Sequence, residues 1–209
     1  MRIAVIGATG WLGGAIVKEA LSRGHQATAI GRDQSRLAEL SGVDSAVADV
    51  RDADAVAHAI SGHDVVVSSV TDRSTSDRSI IPAAARSLIE AVPRAGVPRL
   101  AVVGGGGSLN APDGGRLVDQ PGFPDAYKAE ALAQGEALDL LRSAPADLDW
   151  TYMSPPPHDL APGEKRGGYT VAGGDDPVGD GLTSGDLADA FVDELEQHRF
   201  SRQRFTAGY

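Results

Sequence analysis

The chain has 209 residues, of which 42% are hydrophobic and 26 are glycine, and 19 basic and 29 acidic side chains give it a formal net charge of −10. This length suits one well-buried α/β domain, and the charge argues against nucleic acid or an anionic membrane as a partner, since both bind through a basic face. Because there is no cysteine, disulfides, thiolate nucleophiles and thiolate metal sites are excluded.

No targeting or membrane-spanning segment is predicted. The chain opens directly on a core strand, which leaves no room for a signal peptide, and no apolar run approaches the length needed to cross a membrane. We therefore expect a cytoplasmic protein. The composition leaves its oligomeric state open.

The N-terminal stretch predicts a strand, a glycine turn and a helix. Residues 3–6 form an apolar, β-branched run typical of a buried strand, and an apolar pattern from Trp11 that ends at Gly24 predicts a helix. This order of elements is the context that a dinucleotide-binding fingerprint requires. The alternative is a loop that is rich in glycine without binding a nucleotide.

Each glycine of the turn has a physical task. Gly7 allows the chain to leave the strand in a tight turn, Gly10 allows the backbone to approach a pyrophosphate, and Gly13 allows the helix to pack closely on the strand. The first amides of the helix would then face the phosphates. Three further residues of this turn are assigned to the same cofactor site: Thr9, Trp11 and Leu12.

The motif Gly7-Ala-Thr-Gly10-Trp-Leu-Gly13 resembles the atypical and extended branches of the short-chain dehydrogenase/reductase superfamily. Within them it is most similar to the small NAD(P)H-binding reductases described as NADH–flavin reductases and related to biliverdin reductase B. Four later stretches carry the same resemblance: Val103-Gly-Gly-Gly-Gly-Ser108-Leu, Tyr127-Lys-Ala-Glu-Ala-Leu, Leu148-Asp-Trp-Thr-Tyr-Met-Ser-Pro-Pro and Arg204-Phe-Thr-Ala-Gly-Tyr.

The pattern and the resemblance together predict an α/β fold. We expect a doubly wound, mostly parallel sheet of six or seven strands in three layers, a Rossmann-like NAD(P)-binding fold. One NAD(P)-binding domain would span residues 1–209. Segments near residues 105–124 and 154–182 would lie on its substrate side.

The second predicted strand, residues 26–30, leads to the position where such folds select NAD or NADP. Arg32 follows this strand directly and Arg36 lies one helical turn on, and a guanidinium pairs with a 2′-phosphate. Asp33 suits the N-cap of a helix over residues 34–40. The arrangement favours NADP, with NAD the less favoured alternative if Asp33 accepts from the ribose 2′-hydroxyl instead.

A third strand, residues 44–48, is followed by Asp49 and Val50. In the family that the chain resembles, an aspartate followed by an apolar residue borders the adenine, and its carboxylate accepts from the adenine amino group. Asp52 is a better N-cap for a helix over residues 53–60, which leaves Asp49 as the expected ligand.

The fourth predicted strand, residues 64–69, is a nearly unbroken valine run and is therefore expected in the centre of the sheet. Ser68, Ser69 and Val70 at its carboxyl end should lie near the crevice where the strand order reverses. The histidines, His58 and His63 among them, have no metal-ligand spacing, so we expect no metal site.

A helix over residues 79–95 and a fifth strand over residues 100–103 precede the glycine run that begins at Gly104. Four glycines at the carboxyl end of a parallel strand suggest close backbone approach to a planar group, for which the nicotinamide is the natural candidate. Ser108 would then lie beside that ring as a catalytic residue. A mobile linker is the alternative.

The helix predicted over residues 125–143 follows a loop over residues 110–124 and carries Tyr127, the second candidate catalytic residue. The larger superfamily pairs such a tyrosine with a lysine four residues later, which lowers the tyrosine pKa. Position 131 is alanine here, and Lys128 lies about 100° away around the helix. Alcohol–ketone chemistry is therefore disfavoured, and Tyr127 is either a substrate contact or a packed side chain.

The C-terminal part predicts a sixth strand over residues 148–153, followed by a proline-rich turn that ends at His158. The turn would border the nicotinamide and the substrate, and His158 could donate a proton there. Residues 159–182, with a small edge strand over residues 169–172, would form a lid or the substrate side of the cleft. Thr183 or Ser184 would cap a helix over residues 186–198, and residues 204–207 would form a last strand.

These features favour an NADPH-dependent reductase that transfers hydride to a small planar acceptor such as a flavin or a quinone. Hydride transfer to an electron-poor ring needs stacking and alignment in a dry cleft, and the proton can come from water. Two other classes remain open: an NADP-binding redox sensor without turnover, and an epimerase or dehydratase of nucleotide sugars. The second is disfavoured by the missing lysine and by the short chain.

Overall fold

The computed structural model describes residues 1–71 and 77–209. Secondary structure covers most of these residues, and element ends agree with the sequence-based boundaries to within one or two residues in most cases. The strands of the described chain are β1 (Arg2–Ile6), β2 (Gln26–Gly31), β3 (Asp44–Val47), β4 (Val65–Ser68), β5 (Arg99–Val103), β6 (Asp149–Ser154), β7 (Leu160–Ala161), β8 (Thr170–Gly173), β9 (Leu182–Thr183) and β10 (Gln203–Gly208).

The α-helices of the same ranges are α1 (Trp11–Ser22), α2 (Gln34–Ala38), α3 (Ala53–Ile60), α4 (Ile80–Arg94), α5 (Asp125–Arg142) and α6 (Ser184–Gln197). A 3₁₀ turn, Leu117–Asp119, interrupts the loop before α5. Among the residues that the structure describes, none of the helices is long and apolar enough to cross a membrane.

The main sheet has the strand order β3-β2-β1-β4-β5-β6-β10-β8. All its neighbours pair in parallel except β8, which is antiparallel to β10 at the edge. The order reverses between β1 and β4, which is the doubly wound topology predicted from the sequence. The β4 valine run lies next to β1 near the middle of the sheet, as expected for a strand buried on both faces.

The predicted strand count was wrong, because the described residues already form a sheet of eight strands rather than six or seven. A separate pair, β7 and β9, was also not predicted. Each of these strands has two residues, too few to show any alternation of apolar and polar side chains.

Helices cover both faces of the sheet and create a three-layer core. One apolar cluster joins α1 and α6 to one face, and a second joins α3, α4 and α5 to the other. Three side chains cap helices as the sequence indicated, since Asp33, Asp52 and Thr183 accept hydrogen bonds from first-turn amides of α2, α3 and α6.

Candidate functional site

A cavity of about 410 Å³ opens at the carboxyl ends of β1, β2 and β3 and is bordered by the glycine turn. A second cavity, of about 640 Å³, lies beyond it, against the segments that follow β5 and β6. Trp11 lines both of them. Ligands of open α/β sheets bind at this edge of the strands, beside the point where the strand order reverses.

The glycine turn is held by backbone contacts that leave no room for a side chain at two of its positions. Gly7 has a φ of +89°, and a Cβ there would lie 2.4 Å from the Ser69 carbonyl oxygen. A Cβ at Gly13 would lie 2.2 Å from the Gly7 carbonyl oxygen. Gly7 and Gly13 therefore have the roles predicted for a tight turn and for close helix packing.

Gly10 differs from these two glycines because the space beside it is the first cavity rather than protein. A Cβ there would lie 3.2 Å from the Gly7 carbonyl oxygen, and Gly10 lines the cavity as the N-cap of α1. No side chain within the described ranges caps this helix. The first-turn amides thus lack a side-chain acceptor and face a space that fits a pyrophosphate, which is the arrangement an NAD(P) cofactor requires.

Arg32, Asp33 and Arg36 line the opposite end of the first cavity, after β2. Asp33 is engaged as the cap of α2, with its carboxylate accepting from the amides of Ser35 at 2.9 Å and Arg36 at 3.3 Å. The Arg36 guanidinium donates to the Thr9 carbonyl oxygen at 3.3 Å, which joins this end to the glycine turn. The end of the first cavity that is expected to hold the adenosine therefore carries two guanidinium groups, those of Arg32 and Arg36, and the carboxylate of Asp33.

Asp49 is held by its neighbour Arg51. The Arg51 guanidinium donates to both carboxylate oxygens, at 3.0 and 2.5 Å, and these hydrogen bonds lower the pKa of Asp49 to about 2. Val50 lines the first cavity, whereas Asp49 is not among its lining residues in the described structure. The adenine contact of Asp49 stays a prediction.

The first cavity brings together most of the residues predicted to hold the cofactor. The predicted residues that line it are Gly7, Thr9, Gly10, Trp11, Arg32, Arg36, Val50 and Ser69. Gly13 and Ser68 are buried beneath it, and Leu12 is half-buried in α1. The sequence did not identify the apolar residues that line this cavity, Ile30 and Leu37 among them. Core side chains of this kind occur on every strand and helix of the fold, so their function could not be recognised.

The second cavity has a largely apolar and aromatic lining. Trp11, Phe123 and Tyr127 contribute rings, and residues 155–157 contribute three consecutive prolines. The polar side chains at its surface include those of Gln120, Glu130, Gln134, His158 and Asp159. The two segments predicted on the substrate side both contribute lining residues. A planar ring would find flat partners on several sides of this space.

Tyr127 lines the second cavity but remains 65% exposed. Ala131 also lines it, at the position where the larger superfamily has its lysine. Glu130 is paired with Arg78 at 3.6 Å. Tyr127 therefore lies where a substrate contact was expected, with alanine at the position of the activating lysine, and its catalytic role stays a prediction.

The glycine run after β5 makes room for a buried tyrosine. A Cβ at Gly104 would lie 1.8 Å from Cζ of Tyr152, whose side chain is fully buried on β6. The space that a side chain at Gly104 would need is thus occupied by a ring of the protein itself. The next three glycines, residues 105–107, do line the second cavity. A nicotinamide contact by Gly104 stays a prediction.

Ser108 is tied to the buried Arg204 of β10. The Arg204 guanidinium donates to the Ser108 hydroxyl and, at 3.1 Å, to its carbonyl oxygen. Burial lowers the pKa of Arg204. Ser108 is not among the residues of the described chain that line either cavity. Its hydroxyl anchors the end of the glycine run, and its predicted role beside the nicotinamide is not tested.

Part of the segment predicted as a lid is fixed to α6. The Asp186 carboxylate accepts from the amides of Arg166, at 3.0 Å, and Gly167, at 2.8 Å. Lys165 pairs with Asp189 of the same helix. Of the predicted lid, residues 159–182, only Asp159 and Leu160 line the second cavity within the described structure.

A family model described as NAD(P)H-binding matches residues 7–198. The uncharacterised protein YwnB of Bacillus subtilis is 36% identical to this chain over 213 residues, which covers 99% of this chain and 97% of YwnB.

Solved structures of similar proteins share the whole fold. A Burkholderia pseudomallei protein described as a candidate exported protein is 40% identical, with a TM-score of 0.89 and full coverage of both chains, 100% each. A candidate NADH-flavin reductase of Streptococcus pneumoniae is 33% identical, with a TM-score of 0.82 over 99% of this chain and 98% of that one. A candidate epimerase of Bacteroides thetaiotaomicron is 33% identical, with a TM-score of 0.87 over 100% and 96%.

Proposed function

Because the chain belongs to the NAD(P)H-binding family, we propose that it is an NADPH-dependent reductase of small planar acceptors of the flavin or quinone type. The observation that carries the proposal is the meeting of the two cavities at Trp11. One cavity fits the adenosine and pyrophosphate of a dinucleotide. The other presents flat apolar walls where the reacting ring of the cofactor would meet its acceptor.

The residues of the chain have separate tasks in this proposal. The glycine turn and the start of α1 hold the pyrophosphate, and Arg32 and Arg36 hold the adenosine end. Trp11, Phe123 and the prolines at 155–157 align the acceptor ring and keep water away from it. NADPH supplies a hydride when bound. The protein then has to position two rings, and the missing lysine at position 131 is no obstacle.

The choice of NADPH over NADH rests on the two arginines of the first cavity. Because Asp33 accepts two amide hydrogen bonds as the cap of α2, its carboxylate is already engaged. Arg32 and Arg36 line the same end and can pair with a 2′-phosphate that NADH lacks.

We expect Arg32→Ala to weaken NADPH binding by about 10- to 100-fold and to leave NADH binding nearly unchanged, since a hydrogen bond to a charged group contributes about 1.5–3 kcal/mol. Titration of both cofactors into the wild-type protein and the variant measures this. The exposed Arg86→Ala, whose guanidinium pairs with Glu136 on α5, is the matched control. A wild-type protein that binds NADH more tightly than NADPH would contradict the assignment.

We expect Tyr127→Phe to keep the rate of acceptor reduction within about tenfold of wild type, because loss of a true general acid usually costs about 10²–10⁴-fold. The exposure of Tyr127 and the alanine at position 131 motivate this prediction. Steady-state kinetics at saturating NADPH decide it. A thousandfold loss of kcat at unchanged cofactor affinity would restore Tyr127 as an acid and reopen alcohol–ketone chemistry.

The proposal itself is tested by NADPH oxidation in the presence of FMN, of a quinone, or of neither. Acceptor-dependent oxidation supports the reductase. Tight NADPH binding without oxidation by any acceptor supports a redox sensor of the same fold, and conversion of a nucleotide sugar without net oxidation supports an epimerase.

We place the reductase in the cytoplasm and its partner among small molecules. The Burkholderia pseudomallei relative is described as a candidate exported protein, so the cellular location of this chain needs a test of its own.

A further inference from the structure

Gln134 is the buried polar side chain of the second cavity that the proposed function leaves without a task. It lies on α5, is 7% exposed, and lines the cavity together with the glycines at 105–107. Its carboxamide oxygen lies 3.3 Å from the Tyr152 hydroxyl. Within the described chain, its amide nitrogen donates to no acceptor. A buried carboxamide at a cavity wall, whose nitrogen has no acceptor among the described residues, is an unused hydrogen-bond donor.

Gly105 limits the position of this side chain, and Tyr152 fixes the backbone that carries it. A Cβ at Gly105 would lie 3.1 Å from both Cβ and Cγ of Gln134, so the absence of a side chain at Gly105 makes room for the Gln134 stem. The Tyr152 hydroxyl accepts from the Gly105 amide at 3.2 Å and donates to the backbone carbonyl oxygen of Gln134 at 2.9 Å, which fixes the α5 backbone at this position. Burial raises the pKa of Tyr152 to about 12, which keeps this hydroxyl protonated and donating.

Two other polar side chains of the same cavity are already engaged. The Gln120 amide nitrogen donates to the Gly114 carbonyl oxygen at 2.9 Å, and Glu130 is paired with Arg78. The prolines at 155–157 have no amide hydrogen to offer. Trp11, Tyr127 and His158 also carry donors but are half-buried or exposed, so Gln134 is the buried side-chain donor among the described residues that line this cavity.

We propose that the Gln134 amide nitrogen donates a hydrogen bond to a ring carbonyl oxygen of the acceptor, and that this bond strengthens as the acceptor is reduced. The inference rests on the proposed function and narrows its substrate class to planar rings with a conjugated carbonyl group. Quinones and isoalloxazines share this chemistry. A donor fixed before the reaction stabilises charge that develops on the oxygen without having to reorient.

With a quinone as acceptor, the reaction is a hydride transfer followed by a protonation. Two electrons and one proton pass as a hydride from NADPH, which becomes NADP⁺, and the quinone becomes a hydroquinone monoanion. The negative charge resides on the ring oxygens, one of which accepts from Gln134. Water supplies the second proton, which gives the neutral hydroquinone. Gln134 itself neither gains nor loses a proton in this step.

The activity test compares two substitutions of similar size. Gln134→Met removes the donor and should lower kcat with a quinone by about 10- to 100-fold at unchanged NADPH affinity. Gln134→Glu should lose at least as much when ionised and should recover towards wild type as the pH falls, because a protonated carboxyl group donates again. Gln134→Met should show no such recovery. FMN replaces the quinone in a parallel series and shows whether both acceptors use the donor.

A second readout requires no turnover. A phenol that ionises near neutral pH and changes absorbance on ionisation, such as 4-nitrophenol, is bound to the protein in the presence of NADP⁺. Because the donor favours the phenolate, the pKa of the bound phenol should be about one to two units lower in wild type than in Gln134→Met. Far-ultraviolet circular dichroism and melting temperature establish that each variant folds.

The outcomes separate this inference from the function on which it rests. If wild type oxidises NADPH with a quinone while Gln134→Met matches it in kcat and in the pKa of the bound phenol, the role of Gln134 is overturned and the reductase stands. If wild type reduces no acceptor but shifts the phenol pKa through Gln134, the reductase fails and the donor stands. A loss of kcat in Gln134→Glu that is independent of pH would also contradict the donor.

Discussion

Replacing Gly10 by valine should reduce NADPH affinity by about 100-fold or more and leave the fold intact. The backbone at Gly10 has φ −81° and ψ 163°, an extended conformation that a β-branched residue adopts readily. A Cβ would lie 3.2 Å from the Gly7 carbonyl oxygen, so the turn has to yield by only a few tenths of an ångström. The cost falls on the cavity, where the new side chain occupies the place of the pyrophosphate.

Calorimetric or fluorescence titration of NADPH measures this effect, with melting temperature as the control for folding. Gly14→Ala is the matched variant, because a Cβ there meets a similar backbone contact, 3.3 Å from the Ala8 carbonyl oxygen, and Gly14 is not among the described residues that line the first cavity. It should keep its affinity. A folded Gly10→Val protein with unchanged NADPH affinity would contradict the phosphate site.

Replacing Gly104 by alanine should destabilise the protein by about 2–4 kcal/mol. The new Cβ would lie 1.8 Å from Cζ and 2.0 Å from the hydroxyl oxygen of Tyr152. The tyrosine is fully buried and hydrogen-bonded to Gly105 and Gln134, so it cannot move aside without breaking these contacts. In a chain of this size the melting temperature should fall by roughly 5–15 °C.

Gly135→Ala provides the matched comparison. The position lies on α5, and a Cβ there would meet Ser108 Cβ at an ordinary contact distance of 3.5 Å. Because alanine favours a helix over glycine by about 0.5–1 kcal/mol, this variant should melt at or slightly above the temperature of wild type. Equal melting temperatures for Gly104→Ala and wild type would show that the loop can yield, and that Tyr152 does not require this glycine.

Features encoded by neighbouring residues were predictable from the sequence. The glycine turn, the helix that follows it and the caps at Asp33, Asp52 and Thr183 each depend on side chains within a few positions of one another. The order of the last strands was not predictable in this way. Strand β10 pairs with β6, and β8 then adds to β10 in the opposite direction, pairings that depend on contacts across the whole C-terminal part.

In the candidate site, too, residues near one another in the sequence were predictable and contacts between distant residues were not. Arg32 and Arg36 were located by their distance from the glycine turn, and both line the first cavity. The residues that contact Gly104 and Ser108 could not be located in this way. Tyr152 lies 48 residues after Gly104, and Arg204 lies 96 residues after Ser108. Gln134 had one available signal: with Tyr127, Ala131 and Leu138 it follows the period of one helix face, where a glutamine among apolar residues is unusual.

We propose that this protein passes a hydride from NADPH to a planar ring, and a single-turnover experiment tests this step. The most direct measurement mixes protein that is in excess over NADPH with a quinone and follows the nicotinamide fluorescence through a single turnover. We expect the fluorescence first to report a bound nucleotide and then to decay much faster than without protein. The decay should also be faster with NADPH than with NADH at equal subsaturating concentrations. Bound NADPH that persists unchanged in the presence of quinone and of FMN would contradict the proposal.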